Sequence, residues 1–293
     1  MLRSLFAGIS GLRVNQTMLD VTGNNIANAN TIGFKSSSTV FQDTLSQMLT
    51  TGSAAGAGLG GTNPIQVGLG VQVAATNTNF NQGSNQTTGR PTDMMINGDG
   101  MFVIQRGNET TYTRAGAFSW DENGTLVSPG GGRVQGYQTN PDGTLATPLT
   151  VADIQLPENY TKPASAGPPP VPATTYDLAS YEIGRDGKVT CTFEDGSKQT
   201  VAQVVLADFN NPMGLARAGE TSFTTTANSG VAELGVSGEG NRGTLSPGSV
   251  EMSNVDLAAE FTNLILAQRG FQASSRVITT SDQVLEDLVN IKR

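Results

Sequence analysis

Two stretches of this chain repeat apolar residues every seven positions, and they lie at opposite ends. Leu5, Leu12, Leu19 and Ile26 are seven apart, with Leu2 and Ile9 at the alternate positions. This a/d pattern predicts an amphipathic helix with a coiled-coil-like seam. Gln16, Gly8, Gly11 and Gly23 interrupt it. Near the other end, Leu257, Leu264, Phe271, Ile278 and Leu285 repeat the spacing, with Phe261 and Val289 between them. Ser253 or Asn254 is the expected N-cap. Glu251, Asp256 and Glu260 then sit near the positive end of the helix dipole, and Lys292 and Arg293 near the negative end. Gln268, Ser275 and Asp282 break this second seam. Helices interrupted in this way are marginal alone, so the pattern predicts a terminal pair ordered by packing, including packing against other copies.

Between the two ends the period changes to two. Thr111 to Trp120 alternates and runs into Asp121-Glu-Asn-Gly124, a hairpin turn, after which Thr125-Leu-Val resumes a strand. Ile183 to Val189 predicts a second hairpin with Asp-Gly at its tip, and Val201 to Phe209 a largely buried strand that Asn210-Asn-Pro212 ends. Turn signals at this spacing imply an all-β sandwich or barrel-like domain. Two stretches read as irregular: the Gly/Ala/Ser-rich connector Thr50–Asn63 and the proline-rich Lys162–Pro172, which marks a surface insertion. The expected fold class is therefore α+β: paired terminal α-helices, coiled-coil-like, plus a mainly antiparallel all-β domain. The expected division is 1–30 with 255–293 as a terminal helical domain, 31–75 as a connector, and 76–254 as the β domain, with the proline-rich insertion at about 160–175.

Composition changes the picture mainly by exclusion. Charged residues make up 14% of the 293, against roughly 25% in an ordinary domain, and Gly occurs 36 times. Uncharged polar faces pack against neighbours without desolvating many charges, which suits extensive subunit contacts. The net charge of −8 argues against nucleic acid as a partner. No polybasic segment addresses a membrane surface, and no apolar run approaches the length of a membrane span. MLRSLFAGISGL does not read as a cleaved secretory signal, because Arg13, Asn15, Gln16 and Asp20 interrupt the apolar stretch. Cys191 stands alone in an alternating stretch and is expected to be a buried strand residue.

Candidate chemistry is sparse. The chain has no histidine, which removes the commonest general base and zinc ligand. Gly56-Ala-Gly-Leu-Gly-Gly61 matches G-x-G-x-x-G, but no strand precedes it and no βαβ unit surrounds it. Asp93, Asp99, Asp121 and Asp186 lie beside glycines or turns and read as satisfied turn carboxylates. No nucleophile elbow or metal-ligand spacing is present. The expectation is a non-enzymatic protein with no cofactor and no metal.

Several motifs carry a resemblance. Leu19-Asp-Val-Thr-Gly-Asn-Asn-Ile-Ala-Asn28 followed by Thr31-Ile-Gly-Phe-Lys35 resembles the N-terminal signature of bacterial flagellar rod and hook axial proteins. Ser253-Asn-Val-Asp256, Ala267-Gln-Arg-Gly-Phe-Gln272 and Thr280-Ser-Asp-Gln-Val-Leu285 are similar to the matching C-terminal signature. Gly68-Leu-Gly-Val, Thr88 to Asp93, Gly98 to Phe102 and Tyr112 to Phe118 look like the family's β-domain segments. The resemblance runs from end to end and is weakest at about 140 to 180.

The resemblance implies export, without a cleaved signal, through the flagellar type III apparatus. It also implies assembly into a helical tube lined by the paired terminal helices, outside the cell in the hook and basal body. Leu5, Ile9, Leu12, Leu19, Ile26, Leu257, Phe261, Leu264, Phe271, Ile278 and Leu285 would then serve helix pairing and contacts between subunits. Asn24, Asn25, Asn28, Gly33 and Phe34 would form the family's signature turn, with Asn amides capping the chain as it leaves the helix and Gly33 supplying a special backbone conformation. Leu285 to Arg293 and Gly61 to Gly70 point to the short hook type, a flexible universal joint that transmits motor torque to the filament. Distal rod, hook-cap and hook–filament junction proteins would be its neighbours. The distal rod protein, a straight rigid drive shaft, is the alternative, and a β-rich surface adhesin a remote one.

Overall fold

A computed structural model describes residues 2–54, 56, 60–140, 144, 150–162 and 174–291. The proline-rich stretch Lys162–Pro172 lies outside the described residues except for its first position, as do Lys292 and Arg293 and parts of Thr50–Asn63. The chain divides into two compact units. One comprises Met1–Ala29, Ser36–Asn79 and Val255–Arg293; the other comprises Asn30–Lys35 and Phe80–Asn254. Two helices and mainly antiparallel strands make the fold α+β.

In the first unit, helix α1 spans Leu2–Ala27 and helix α2 spans Leu257–Ile291. They pair antiparallel. Ser4 meets Ser281 at 3.4 Å, a Cβ on Gly11 would lie 2.8 Å from Ser274 Oγ, and Asn25 Nδ2 donates to Glu260 Oε1 at 2.9 Å. The α2 N-cap is Asp256 rather than Ser253 or Asn254. Its Oδ1 accepts from the N–H groups of Ala258 (2.9 Å) and Ala259 (3.3 Å), the second and third residues of the helix, where a cap oxygen is needed.

The rest of this unit is a two-stranded ribbon that the alternation signal did not reveal. Strands β1 (Ser37–Asp43) and β4 (Val71–Thr78) pair from Ser37↔Thr78 to Asp43↔Val71. Beyond them β2 (Ser46–Thr50) and β3 (Ile65–Gly68) continue from Ser46↔Gly68 to Thr50↔Ile65, and Ser53 bridges Thr62. The described flanks of the Gly/Ala/Ser-rich stretch thus continue the pairing of a hairpin as far as Ser53 and Thr62. Val40, Phe41, Met48, Leu49, Ile65 and Val67 are exposed on it. Both faces of β2 and β3 are open to water, so no hydrophobic alternation marks them as strands.

The second unit is built on a thirteen-stranded antiparallel sheet. Its central strands, Met101–Arg106 and Lys198–Asp208, are buried on both faces. Phe102, Ile104, Val204 and Leu206 point into one core with Phe118, Leu126, Val134 and Ile154. Met101, Val103, Val205 and Ala207 point into another with Tyr112, Phe209 and Phe223. Among the described residues the sheet does not close into a barrel. Its strand order runs between two distinct edges, Asn159–Lys162 and Ala216–Gly219.

The expected turns are present. Gly124 and Gly187 hold φ of 70° and 76° at the two hairpin tips, and Asp121 Oδ1 accepts the N–H groups of Asn123 and Thr125. The strand expected over Thr111–Trp120 is instead split into Glu109–Thr113 and Ser119–Trp120. Arg114 leaves the ladder to donate to Gly98 O, and Gly116 passes so close to Met94 that a Cβ would overlap its carbonyl. Cys191 is fully buried in a strand, and burial pushes its thiol up to about 11. Among the described residues no helix is long and apolar enough to cross a membrane.

Candidate assembly surface

The two helices touch through small and polar side chains. Ser4, Gly8, Gly11, Asn15 and Asn25 of α1 face Ser281, Ile278, Ser274, Gly270 and Glu260 of α2. Those α1 positions recur at alternating spacings of three and four, which is itself a heptad seam. Ala267 is the one described α2 residue that is fully buried. Gly8 and Gly11, read from the sequence as interruptions, are points of closest approach. A glycine permits this because no Cβ holds the neighbouring helix away.

The apolar stripes lie mostly beside this seam. Leu5, Leu12, Leu19 and Ile26 are half-buried, each one position along from a residue on the α1 seam register. Leu264, Ile278 and Leu285 are half-buried on the paired face of α2, whereas Ile9, Leu257, Phe261 and Phe271 are exposed. Phe6, Ile265, Leu266, Val284, Leu288, Val289 and Ile291 add to the exposed set. Large apolar side chains exposed along two helices in this way are suited to contact with other molecules.

The asparagines expected in the signature turn bond both locally and to residues distant in sequence. Asn28 Nδ2 donates to Asn24 O (2.9 Å) and Asn24 Oδ1 (2.8 Å), closing the end of α1. Asn25, 1% exposed, does more than cap: it donates to Ser37 O (2.7 Å) and Glu260 Oε1, and accepts from Ser37 N (3.0 Å). It thereby ties α1, β1 and the first turn of α2 together. Within the second unit Gly33 has φ of 68°, its N–H donates to Glu251 O (2.8 Å), and a Cβ would overlap the Ala115 backbone. Phe34 is buried with the Arg217 guanidinium 5.0 Å from its ring centroid.

Next to Gly33 and Phe34 lies a buried ion cluster that sequence reading missed. Lys35 Nζ donates to Glu251 Oε1 (2.6 Å) and Asn81 O (2.8 Å), Gly83 N donates to Glu251 Oε1 (2.8 Å), and Arg114 Nη1 lies 3.4 Å from Glu251 Oε2. Lys35 and Glu251 side chains are both 0% exposed. Desolvation holds the Lys35 and Arg114 pKa values below their ordinary values, and Glu251 opposes the shift in both. The cluster holds the segment that follows α1 to the one that precedes α2. A usable signal existed in a chain so poor in charge: Lys35 and Glu251 each sit inside a family signature or beside one. Among the described residues no group of three or more carboxylate and thiol side chains is placed to hold a metal ion.

Comparison with known proteins decides what this surface belongs to. Family models described as "Flagella basal body rod protein", "Flagellar hook protein FlgE/F/G D1 domain" and "Flagellar basal body rod FlgEFG protein C-terminal" match residues 5–35, 95–191 and 246–291. The flagellar basal-body rod protein FlgG of Bacillus subtilis is 44% identical over 294 aligned positions, covering 100% of both chains. The chain belongs to the flagellar rod and hook protein family. A second rod protein of this family, FlgG of Borreliella burgdorferi, is 34% identical, again across 100% of both chains. The flagellar hook protein FlgE of the same organism is 30% identical, over 441 aligned positions. The family is structural and places the chain in the flagellar axial assembly, in the rod or the hook. The rod branch, second in the sequence reading, is supported at least as well as the hook branch that was put first.

Proposed function

We propose that this chain is a non-catalytic subunit of the flagellar rod, the straight shaft that carries motor torque. The observation that supports this reading is the alignment itself. The Bacillus subtilis rod protein aligns over 294 positions, about the length of this chain, whereas the Borreliella hook protein needs 441 and so carries residues this chain lacks. In this reading copies stack head-to-tail in a non-closing helical array. Residues 1–30 and 255–293 form its inner tube, 31–75 a connector, and 76–254 the β domain. The exposed apolar residues of α1 and α2 are covered by neighbouring copies, which supports an assembly rather than a monomeric role. The proposed partners are further copies, the adjoining rod and hook proteins, and the type III export apparatus. The hook reading keeps its support from full-length similarity to hook proteins.

Electron microscopy of axial structures assembled from this chain separates the two branches. Straight tubes are expected, and curved tubes would return the chain to the hook branch. A truncation lacking residues 257–293 should not assemble. Tubes formed without that helix would overturn the layered arrangement.

A further inference from the structure

Within the first unit, α1 and the ribbon enclose a groove of about 560 Å³. Its walls are apolar: Phe6, Ile9 and Val14 from α1, and Leu69, Val71 and Val73 from the ribbon. Its lining includes one charged residue, Arg13, and no carboxylate. The far end of α2 has the complementary character. Val284, Leu288 and Ile291 lie at i, i+4 and i+7 and form one stripe, exposed at 47%, 49% and 80%. Asp287 flanks that stripe, Asp282 and Glu286 lie nearby, and the sequence continues with Lys292 and Arg293 beyond Ile291.

From the antiparallel register, Ile9 lies opposite about position 276 of its own α2, since Gly8 meets Ile278 and Gly11 meets Ser274. Leu288 is a dozen residues further along, about 18 Å at 1.5 Å per residue. The chain's own overhanging turns therefore cannot fill its own groove.

We propose that the groove between α1 and the ribbon receives the Val284–Ile291 turns of α2 from a second copy of this chain. The inference deepens the axial-subunit reading and rests on it. Val284, Leu288 and Ile291 act as the three anchors of a helix laid in an apolar groove, and Arg13 pairs with Asp287 at the rim. For copies stacked in parallel, the contact sets an offset of about 18 Å along the helix axis. It is heterologous, so it propagates rather than closing on itself.

The test uses two full-length variants, Ile9→Cys and Leu288→Cys, expressed together in a flagellated cell. Isolated axial structures are oxidised and separated without reducing agent. The fully buried Cys191 leaves the wild-type chain as a baseline. Each variant carries one engineered cysteine, so any 9–288 link joins two copies. The expected result is a covalent dimer from the mixed variants and none when Ile265→Cys replaces Leu288→Cys. Intact axial structures with no 9–288 dimer, or with equal dimer from the Ile265 control, would overturn the docking while leaving the axial reading standing. Failure of the wild-type chain to enter axial structures would overturn both.

If the cysteine variants do not incorporate, a charge swap decides. Arg13→Glu should lower incorporation by about 1.4- to 5-fold, the range for a single exposed ion pair. Adding Asp287→Arg to the same chain should restore it. Unchanged incorporation in Arg13→Glu, or no rescue, overturns the proposal.

Discussion

Replacing Glu251 with Gln removes one charge and leaves the side-chain shape almost unchanged. In the native chain that carboxylate is fully buried and serves two cations and the Gly83 N–H. Gln keeps one acceptor oxygen but turns an amide donor toward the Lys35 ammonium or the Arg114 guanidinium. Breaking a buried ion pair by removing one partner costs about 3–5 kcal/mol, because the other charge stays buried without compensation. With a urea slope of about 2 kcal/mol per molar, the unfolding midpoint should fall by about 2 M. Trp120, the one tryptophan in the chain, packs against the larger core of this unit and supplies the fluorescence signal.

Lys35→Met should cost clearly less, since Arg114 and the Gly83 N–H remain to satisfy Glu251. It also changes the pH dependence. The native Lys35 pKa lies below 10.5, so between that lowered value and 10.5 the unfolded chain binds more protons and stability rises with pH. The difference between wild type and Lys35→Met should show that rise. A Glu251→Gln stability within about 0.5 kcal/mol of wild type would refute the reasoning, as would a larger loss for Lys35→Met than for Glu251→Gln.

Three further outcomes are expected. Gly33→Ala should destabilise the second unit by about 1–3 kcal/mol or more in the same urea assay, since φ of 68° and contact with the Ala115 backbone both exclude a Cβ. Asp256→Ala should cost about 1 kcal/mol by removing the α2 N-cap, seen as an earlier loss of far-ultraviolet helix signal on heating. Cys191 keeps its proton in the folded chain to about 11 but loses it near 9.0 when unfolded. Stability should therefore fall by about 2–3 kcal/mol between those pH values, and Cys191→Ala should abolish that contribution in paired alkaline titrations.

Both helices, the two hairpin turns, the buried strand at Val201–Phe209 and the buried cysteine were legible in the residues, because each rests on local period or local turn chemistry. The flagellar signatures were legible for a different reason: they are contiguous strings. The rod and hook branches share those strings at both ends, so no motif separates them, and the rod reading proposed above rests on similarity along the whole chain.

The apolar heptads determined that α1 and α2 would be amphipathic helices, and the turn residues determined where the β strands would reverse. Which face of each helix meets the other was decided only in three dimensions. Gly8, Gly11, Ser274 and Gly270 carry almost no hydrophobic signal, yet two backbones approach closely only where side chains are small, and matching them requires a register between segments more than 200 residues apart. The same holds for Lys35, Arg114 and Glu251. Each is an ordinary charged residue in sequence, and only the tertiary structure takes all three out of water together, where pairing becomes obligatory.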